Sequence, residues 1–281
     1  MQTQAQPITL SALTLRTAGF AARVEAAAAA GFRQLGLSVE QYAEAGRRGW
    51  TDARMRDLLA EHGLRVAEVE LLRNWAAPDT SGTAEAEADG TVFHMARVFG
   101  ADRVHATCFE QHSFDTLSAG LRSAAEQAAD AGTSLALEYM PYAGVASLSE
   151  AWRLVEAAGH PAAGVLVDAW HWKRGHTTAD ELAAVPADRI VAVQLCDTLP
   201  VPMAAQRDEA RHHRLLPGEG SAELLPMLRA LRDHGVRAPV AVEVLSDSLD
   251  AQSPFTTAED AFRTTARVLR DAFADALPTP G

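Results

Sequence analysis

Large apolar residues take alternate positions in short stretches of this chain, and Ala-, Glu- and Arg-rich segments with helical spacing fill the gaps between them. The short stretches predict strands at 7–13 (PITLSAL), 32–38 (FRQLGLS), 65–72 (RVAEVELL), 102–108 (DRVHATC), 134–140 (SLALEYM), 163–169 (AGVLVDA), 190–196 (IVAVQLC) and 239–245 (PVAVEVL). Segments such as TAGFAARVEAAAAAG, TDARMRDLLAEHG and LRSAAEQAADAG predict helices. Gly31, Gly63, Gly132 and Gly235 each stand just before a strand, where glycine reaches the positive φ of a helix C-terminus cheaply. Thr51 and Ser149 are the expected N-caps. Strand–helix units repeated over 281 residues predict an α/β chain closed as a (β/α)8 barrel. The rival, an open doubly wound sheet, announces itself with a glycine-rich phosphate loop after its first strand, and TLRTAGF holds no GxGxxG. No Pro/Gly/Ser linker interrupts the middle of the chain. One domain over 1–281 is expected, with the tail LPTPG frayed from about residue 276.

Side chains on a strand alternate between its faces, which makes the second half of the chain informative. The large apolar sets Leu135/Leu137, Val165/Val167, Val191/Val193/Leu195 and Val240/Val242/Val244 suit the layer between barrel and helices. The opposite faces end in Glu138, Asp168, Gln194 and Glu243. Neighbouring strands lie about 4.8 Å apart, so these side chains converge at the C-terminal mouth of the barrel, where active sites of this architecture sit. One carboxylate at a strand end commonly caps a helix or pairs with arginine. Carboxylates or an amide on successive strands require another explanation. Burying an unpaired carboxylate costs several kcal/mol, and a divalent cation resolves the conflict. Oxygen donors without cysteine favour Mn2+ or Mg2+ over structural zinc.

Composition narrows the partners. A net charge of −12 disfavours nucleic acid or an anionic membrane. No apolar run approaches the length of a membrane span, and MQTQAQPITL lacks the pattern of a signal peptide. Cys108 and Cys196 sit in separate apolar stretches and are expected to be free buried thiols, which points to a reducing cytoplasm.

At these residues, from LALEYMP to VAVEVL, the sequence resembles the xylose-isomerase-like TIM barrels, the sugar phosphate isomerase/epimerase family. The resemblance implies a metal held by Glu138, Asp168, Gln194 and Glu243, with Mn2+ expected and Mg2+ or Co2+ as alternatives. It implies that His171, in the Asp-x-x-His pattern with Asp168, contacts substrate. The stretch RHHRLLPGEG (211–220) resembles the family's Arg-x-x-Pro-Gly-x-Gly loop, whose arginine, here Arg214, contacts substrate oxygens. Gln194 stands where the family commonly has His. Together with Arg-His-His-Arg it resembles the 3-dehydroshikimate dehydratase branch, although Ala210 stands where that branch is expected to have Ser.

The implied chemistry is proton abstraction next to a carbonyl. A divalent ion bridging a carbonyl and a hydroxyl acidifies the adjacent C–H and stabilises the resulting enediolate. Glu138 and Glu243 are the expected acid/base pair, and His171 and Arg214 hold substrate oxygens. The substrate is then a small polyhydroxy carbonyl compound, turned over by isomerisation or epimerisation. Loss of a β-hydroxyl from the same intermediate gives a dehydratase, that is, a lyase of a polyhydroxy keto acid such as 3-dehydroshikimate. Glu70 and His105 are further candidates for substrate contact, with an internal ion pair or a packed histidine as the alternatives. Trp170 and Trp172 either wall the pocket or pack their helix, Asn74 and Trp75 are candidates for a lid, and His212 or His213 is placed to reach the site. The GEG after Pro217 reads as a turn, and Cys196 has no partner that would make it a nucleophile. An endonuclease-type phosphodiesterase needs more ligands than this set supplies, and a non-catalytic barrel does not need the set at all. Homo-oligomerisation is left open.

Overall fold

Eight short parallel strands hydrogen-bond in chain order and close on themselves: β1 (Thr9–Leu10), β2 (Gln34–Ser38), β3 (Arg65–Leu72), β4 (Arg103–Ala106), β5 (Ser134–Glu138), β6 (Ala163–Asp168), β7 (Ile190–Leu195) and β8 (Val240–Val242). This is the (β/α)8 barrel, seen in a computed structural model that describes residues 7–76 and 84–274. The expected tail from about residue 276 lies outside the described residues. Register pairs place Asp168 beside Gln194, and Gln194 beside Ala241, two residues short of Glu243. The oxygen-bearing ends of β5–β8 therefore share one end of the barrel.

The predicted face assignment holds except at Val191, which packs against the inner cluster of Ala136, Leu166 and Ala192 where the β6–β7 register shifts. Leu135, Leu137, Val165, Val167, Leu195 and Val242 are fully buried in the main core, together with helix residues such as Val24, Leu121 and Leu154. Inside the barrel a separate small cluster of Ala136, Leu166 and Ala192 plugs the space. It lies two residues before Glu138, Asp168 and Gln194 on their strands, so an apolar floor underlies the polar mouth.

The strand ends and helix starts are fixed by local chemistry. Gly31, Gly63, Gly132 and Gly235 take positive φ of 101°, 63°, 73° and 96°, ending the preceding helices or turns as expected. The Thr51 side chain accepts from Arg54 N–H and caps the helix Asp52–Glu61. Ser149 is not a cap: Ser147 caps the helix Leu148–Ala158 by accepting from Glu150 N–H. Ser149 lies one position inside, where its hydroxyl donates to Glu181 at 3.0 Å. The two serines are equally good caps by composition, and the helix begins one residue before the expected cap. Both cysteines are free and buried. Among the described residues no helix is long and apolar enough to cross a membrane.

Candidate active site

The sequence Asp-Ala-Trp-His at the end of β6 builds the first part of the site. Asp168 ends the strand and caps the helix Ala169–Arg174, its Oδ1 accepting from His171 N–H at 3.0 Å. An N-cap side chain bonds the amide three residues on, so the cap itself dictates that His171 turns back toward the barrel. Its Nε2 lies 3.2 Å from Glu138 Oε1 and 4.0 Å from Asp168 Oδ1. The ring packs edge-on against Trp170 and Tyr142, with centroids 5.3 and 5.7 Å away. His171 and Asp168 are fully buried, and Glu138 is 5% exposed.

Glu243 and Gln194 form the second part. Gln194 Nε2 donates to Glu243 Oε1 at 2.7 Å, and Ser11 Oγ donates to the same oxygen at 2.9 Å. Arg214 Nη1 lies between the two parts, donating to Asp168 Oδ2 at 2.8 Å and Glu243 Oε2 at 3.3 Å. Its Nε donates to Ala210 O at 2.7 Å, which fixes the guanidinium. The electrostatics follow from this packing. Burial alone would raise the Asp168 carboxyl, but Arg214 and then His171 outweigh it and hold the group below its ordinary value. Burial pushes Glu243 up to about 8, with Arg214 pulling it down and Glu138 and Asp168 pushing further up. Burial also keeps the Cys196 thiol protonated, 3.5 Å from Arg214 Nη1, so it is no nucleophile.

The β3–β4 side carries charge of its own. Burial first, then repulsion from Glu243, raises the Glu70 carboxyl well above its ordinary value. Ser11 Oγ reaches it at 3.5 Å. Two residues earlier on β3, Glu68 Oε2 faces His105 Nε2 at 3.5 Å, both side chains almost wholly buried. Gly36 makes room for this pair: a Cβ there would stand 2.7 Å from Ala12 N and 3.2 Å from Glu68 Cγ.

The donor set fits a divalent cation. Glu138, Asp168 and His171 each bring a ligand atom within 4.8 Å of the others. Glu138 Oε1, His171 Nε2 and Gln194 Oε1 are buried without hydrogen-bond partners. Buried polar atoms are rarely left so, and this mix of carboxylate, amide and imidazole donors suits a divalent cation.

The comparisons with known proteins agree on the architecture. A family model described as "Xylose isomerase-like TIM barrel" matches residues 24–272. The chain belongs to this family. A 3-dehydroshikimate dehydratase of Pseudomonas putida KT2440 is 28% identical over 144 residues, 51% of this chain and 22% of that protein. An inosose isomerase of Halalkalibacterium halodurans is 28% identical over 134 residues, 46% of each. The chain thus aligns with half or less of these relatives' lengths. Among solved structures, one described as "IOLI protein with a binding zinc atom" superposes with a TM-score of 0.86 at 17% identity, covering 95% of this chain and 99% of that one. A xylose isomerase-like TIM barrel/4-hydroxyphenylpyruvate dioxygenase fusion protein also gives 0.86 at 21% identity, covering 97% of this chain and 44% of that one.

Within this xylose isomerase-like barrel, the sequence-predicted residues divide by position. Glu138, Asp168, His171, Gln194, Glu243 and Arg214 are brought together. Glu70 lines the mouth cavity, whereas His105 lies deeper, against Glu68. Trp170 is fully buried in the core, and Trp172 lines a separate outer groove with Lys173 and His176. Neither tryptophan lines the mouth, because the short helix turns both away while the cap turns His171 inward. Trp75 donates from Nε1 to Thr107 O at 2.9 Å, and Asn74 borders a different cleft. His212 pairs with Asp247 at 2.9 Å and His213 faces Asp208 at 3.6 Å, so neither ring reaches the cavity. Asp197 accepts from Thr198, Gly218 and Ala222 N–H and holds GEG as a turn. Sequence reasoning missed Ser11, Glu68 and the lining residues Arg73, Phe109, Tyr142, Arg207 and Arg211.

Proposed function

We propose that this protein is a divalent-metal-dependent isomerase or epimerase that abstracts a proton next to the carbonyl of a polyhydroxy substrate. The observation that carries the reading is the cluster of Glu138, Asp168 and His171, with ligand atoms within 4.8 Å of one another, joined through Arg214 to Glu243 and Gln194, with Glu138 Oε1 and Gln194 Oε1 left without donors. Glu138, Asp168, Gln194 and Glu243 would hold the cation, with His171 beside them as a further donor. Mn2+ is the ion proposed, since oxygen donors dominate the set. When bound, the ion polarises a carbonyl and its neighbouring hydroxyl and makes the adjacent C–H more acidic.

The chain's own residues do the rest. Glu138, at the end of β5 on the mouth cavity, takes the proton. Glu243, just past β8 on the mouth cavity, delivers a proton back to the neighbouring carbon or opposite face. Glu70 lines the same cavity and contacts a substrate oxygen. Arg214 and His171 orient the remaining oxygens, and Tyr142 backed by Trp170 keeps water away from the reacting carbon.

Dehydration is the second reading. Gln194 in place of the family's common His favours it, as does the similarity to the P. putida 3-dehydroshikimate dehydratase. Proton abstraction is shared, and expulsion of a β-hydroxyl replaces reprotonation. The test is incubation of Mn2+-loaded protein with ketoses, inososes and 3-dehydroshikimate in D2O. Deuterium at one carbon supports the isomerase or epimerase, and loss of water supports the dehydratase. No exchange and no water loss with any of them, from folded and metal-loaded protein, contradicts both.

A further inference from the structure

Behind the acidic floor of the mouth lies a basic rim on the helix Gln206–His212. Arg207 and Arg211 are four residues apart on it and therefore share a face. Both line the mouth cavity together with Glu70, Glu138 and Glu243. Neither is spent on a carboxylate: the Arg207 guanidinium lies over the Phe109 ring at 5.4 Å, and among the described residues neither side chain forms an ion pair. Both side chains are exposed to solvent at the cavity rim, so their guanidinium groups are open to an anion entering the mouth.

The helix that carries them is unusually well anchored for its seven residues. Glu209 is fully buried and receives Arg174 Nε at 2.9 Å and Met203 N–H at 2.7 Å. Arg16 donates to Arg211 O at 2.6 Å while it also pairs with Asp247 at 2.8 Å. A buried ion pair returns little net stability, because desolvation offsets most of its attraction. What it does supply is position. The anchors hold the backbone of Arg207 and Arg211 still on the cavity side, which lowers the ordering cost when an anion binds there.

We propose that Arg207 and Arg211 form a subsite for an anionic group of the substrate, a carboxylate or a phosphate, at the end remote from the reacting carbon. The proposal rests on the reading that this mouth takes the substrate, and it names the class: an acidic rather than a neutral polyhydroxy carbonyl compound. Guanidinium forks match both oxyanions, so geometry alone leaves the two chemistries together.

The experiment is isothermal titration of Mn2+-loaded protein with D-fructose, D-fructose 6-phosphate and D-glucuronate at low ionic strength. At least one anion is expected to bind about tenfold tighter than fructose, with an advantage that shrinks as salt is added. In the double variant Arg207→Gln/Arg211→Gln the advantage disappears while fructose affinity stays the same. In Arg207→Lys/Arg211→Lys most of it remains. The better-bound anion tells carboxylate from phosphate. Equal affinity for all three ligands overturns the proposal. So does an anion preference that persists in the Gln variant, which would place the anion on the cation itself. Binding is read without turnover, so absence of D2O exchange with retained anion preference sinks the isomerase reading alone. Exchange on neutral sugars without anion preference sinks this inference alone.

Discussion

On β5–β8 the buried carboxylates of Asp168 and Glu243 face one guanidinium, and Glu138 and Gln194 leave acceptor oxygens without donors. On β3 and β4, by contrast, Glu68 lies against His105, and the Glu70 carboxyl is raised well above its ordinary value beside Ser11. Both halves bury acids at similar depth. On β3–β4 a histidine stands 3.5 Å from one acid and the other has its carboxyl pKa raised, although Glu68 Oε1 keeps no donor. The β5–β8 half sets the carboxyls of Asp168 and Glu243, the latter itself pushed up to about 8, against the single guanidinium of Arg214. Buried acids with a free acceptor oxygen do not by themselves mark a cation site, because Glu68 keeps one too; what sets β5–β8 apart is that Glu138, Asp168 and His171 bring ligand atoms within 4.8 Å of one another.

Substitutions that remove a carboxyl charge on either side put this contrast under strain. Glu138→Gln or Glu243→Gln is expected to lower turnover by about 10^3-fold with the fold intact. Glu68→Gln, on the β3–β4 side, should stay within about tenfold of wild type. Steady-state kinetics on the substrate found by D2O exchange, with circular dichroism alongside, measures both. Equal losses on the two sides would erase the distinction.

Removing the internal cation comes next. Arg214→Met strips the metal-free protein of the partner of Asp168 and Glu243, and breaking such a pair costs about 3–5 kcal/mol. Urea unfolding should register that loss without metal and a larger stabilisation by Mn2+ than in wild type. A variant no more responsive to Mn2+ than wild type would mean the guanidinium and the ion do not answer the same charge.

On the other side, Gly36→Ala drives a methyl toward Ala12 N and Glu68 and should cost about 1–3 kcal/mol, because overpacking against backbone cannot relax as a side chain would. Thermal unfolding tests it, and an unchanged midpoint would show that the Glu68 pocket has slack. The smallest effect concerns pH. Burial works against charge on His105, but Glu68, Glu70 and Glu138 outweigh it and raise its pKa above 6.5. A raised folded pKa contributes stability that is complete below the unfolded value and is lost as pH rises through the folded one. The stability difference between wild type and Glu68→Gln should therefore fall by about 1 kcal/mol over that window. A flat difference from pH 5.5 to 8.5, roughly the range in which histidine titrates, would contradict the pairing.

Much of this was legible along the chain because a strand has a period of two. Leu135, Leu137, Val165 and Val167 declare one face of β5 and β6, and whatever alternates with them must face inward, so Glu138 and Asp168 are placed by arithmetic. β1 gives no such reading: Ile8, Thr9, Leu10 and Ser11 are all buried, and a small hydroxyl such as Ser11 looks like any other strand residue until Glu243 is set beside it. Tyr142 and Phe109 stand in loops after their strands, where no period fixes direction. Arg207 and Arg211 become a pair only once residues 206–212 are known to be helical, and the segment reads as loop because few apolar residues mark a buried stripe. Its burial depends on Glu209, a charged residue buried against Arg174, which hydrophobic patterning does not reveal.

The central claim is that one divalent cation sits among Glu138, Asp168, Gln194 and Glu243. A crystal soaked in MnCl2 and recorded at a wavelength where manganese scatters anomalously measures it directly. The account predicts a single strong peak with oxygens of those residues at about 2.0–2.3 Å, and Arg214 withdrawn from Asp168 and Glu243. A map at saturating Mn2+ with no peak there, and the guanidinium still bridging the two carboxylates, would contradict it.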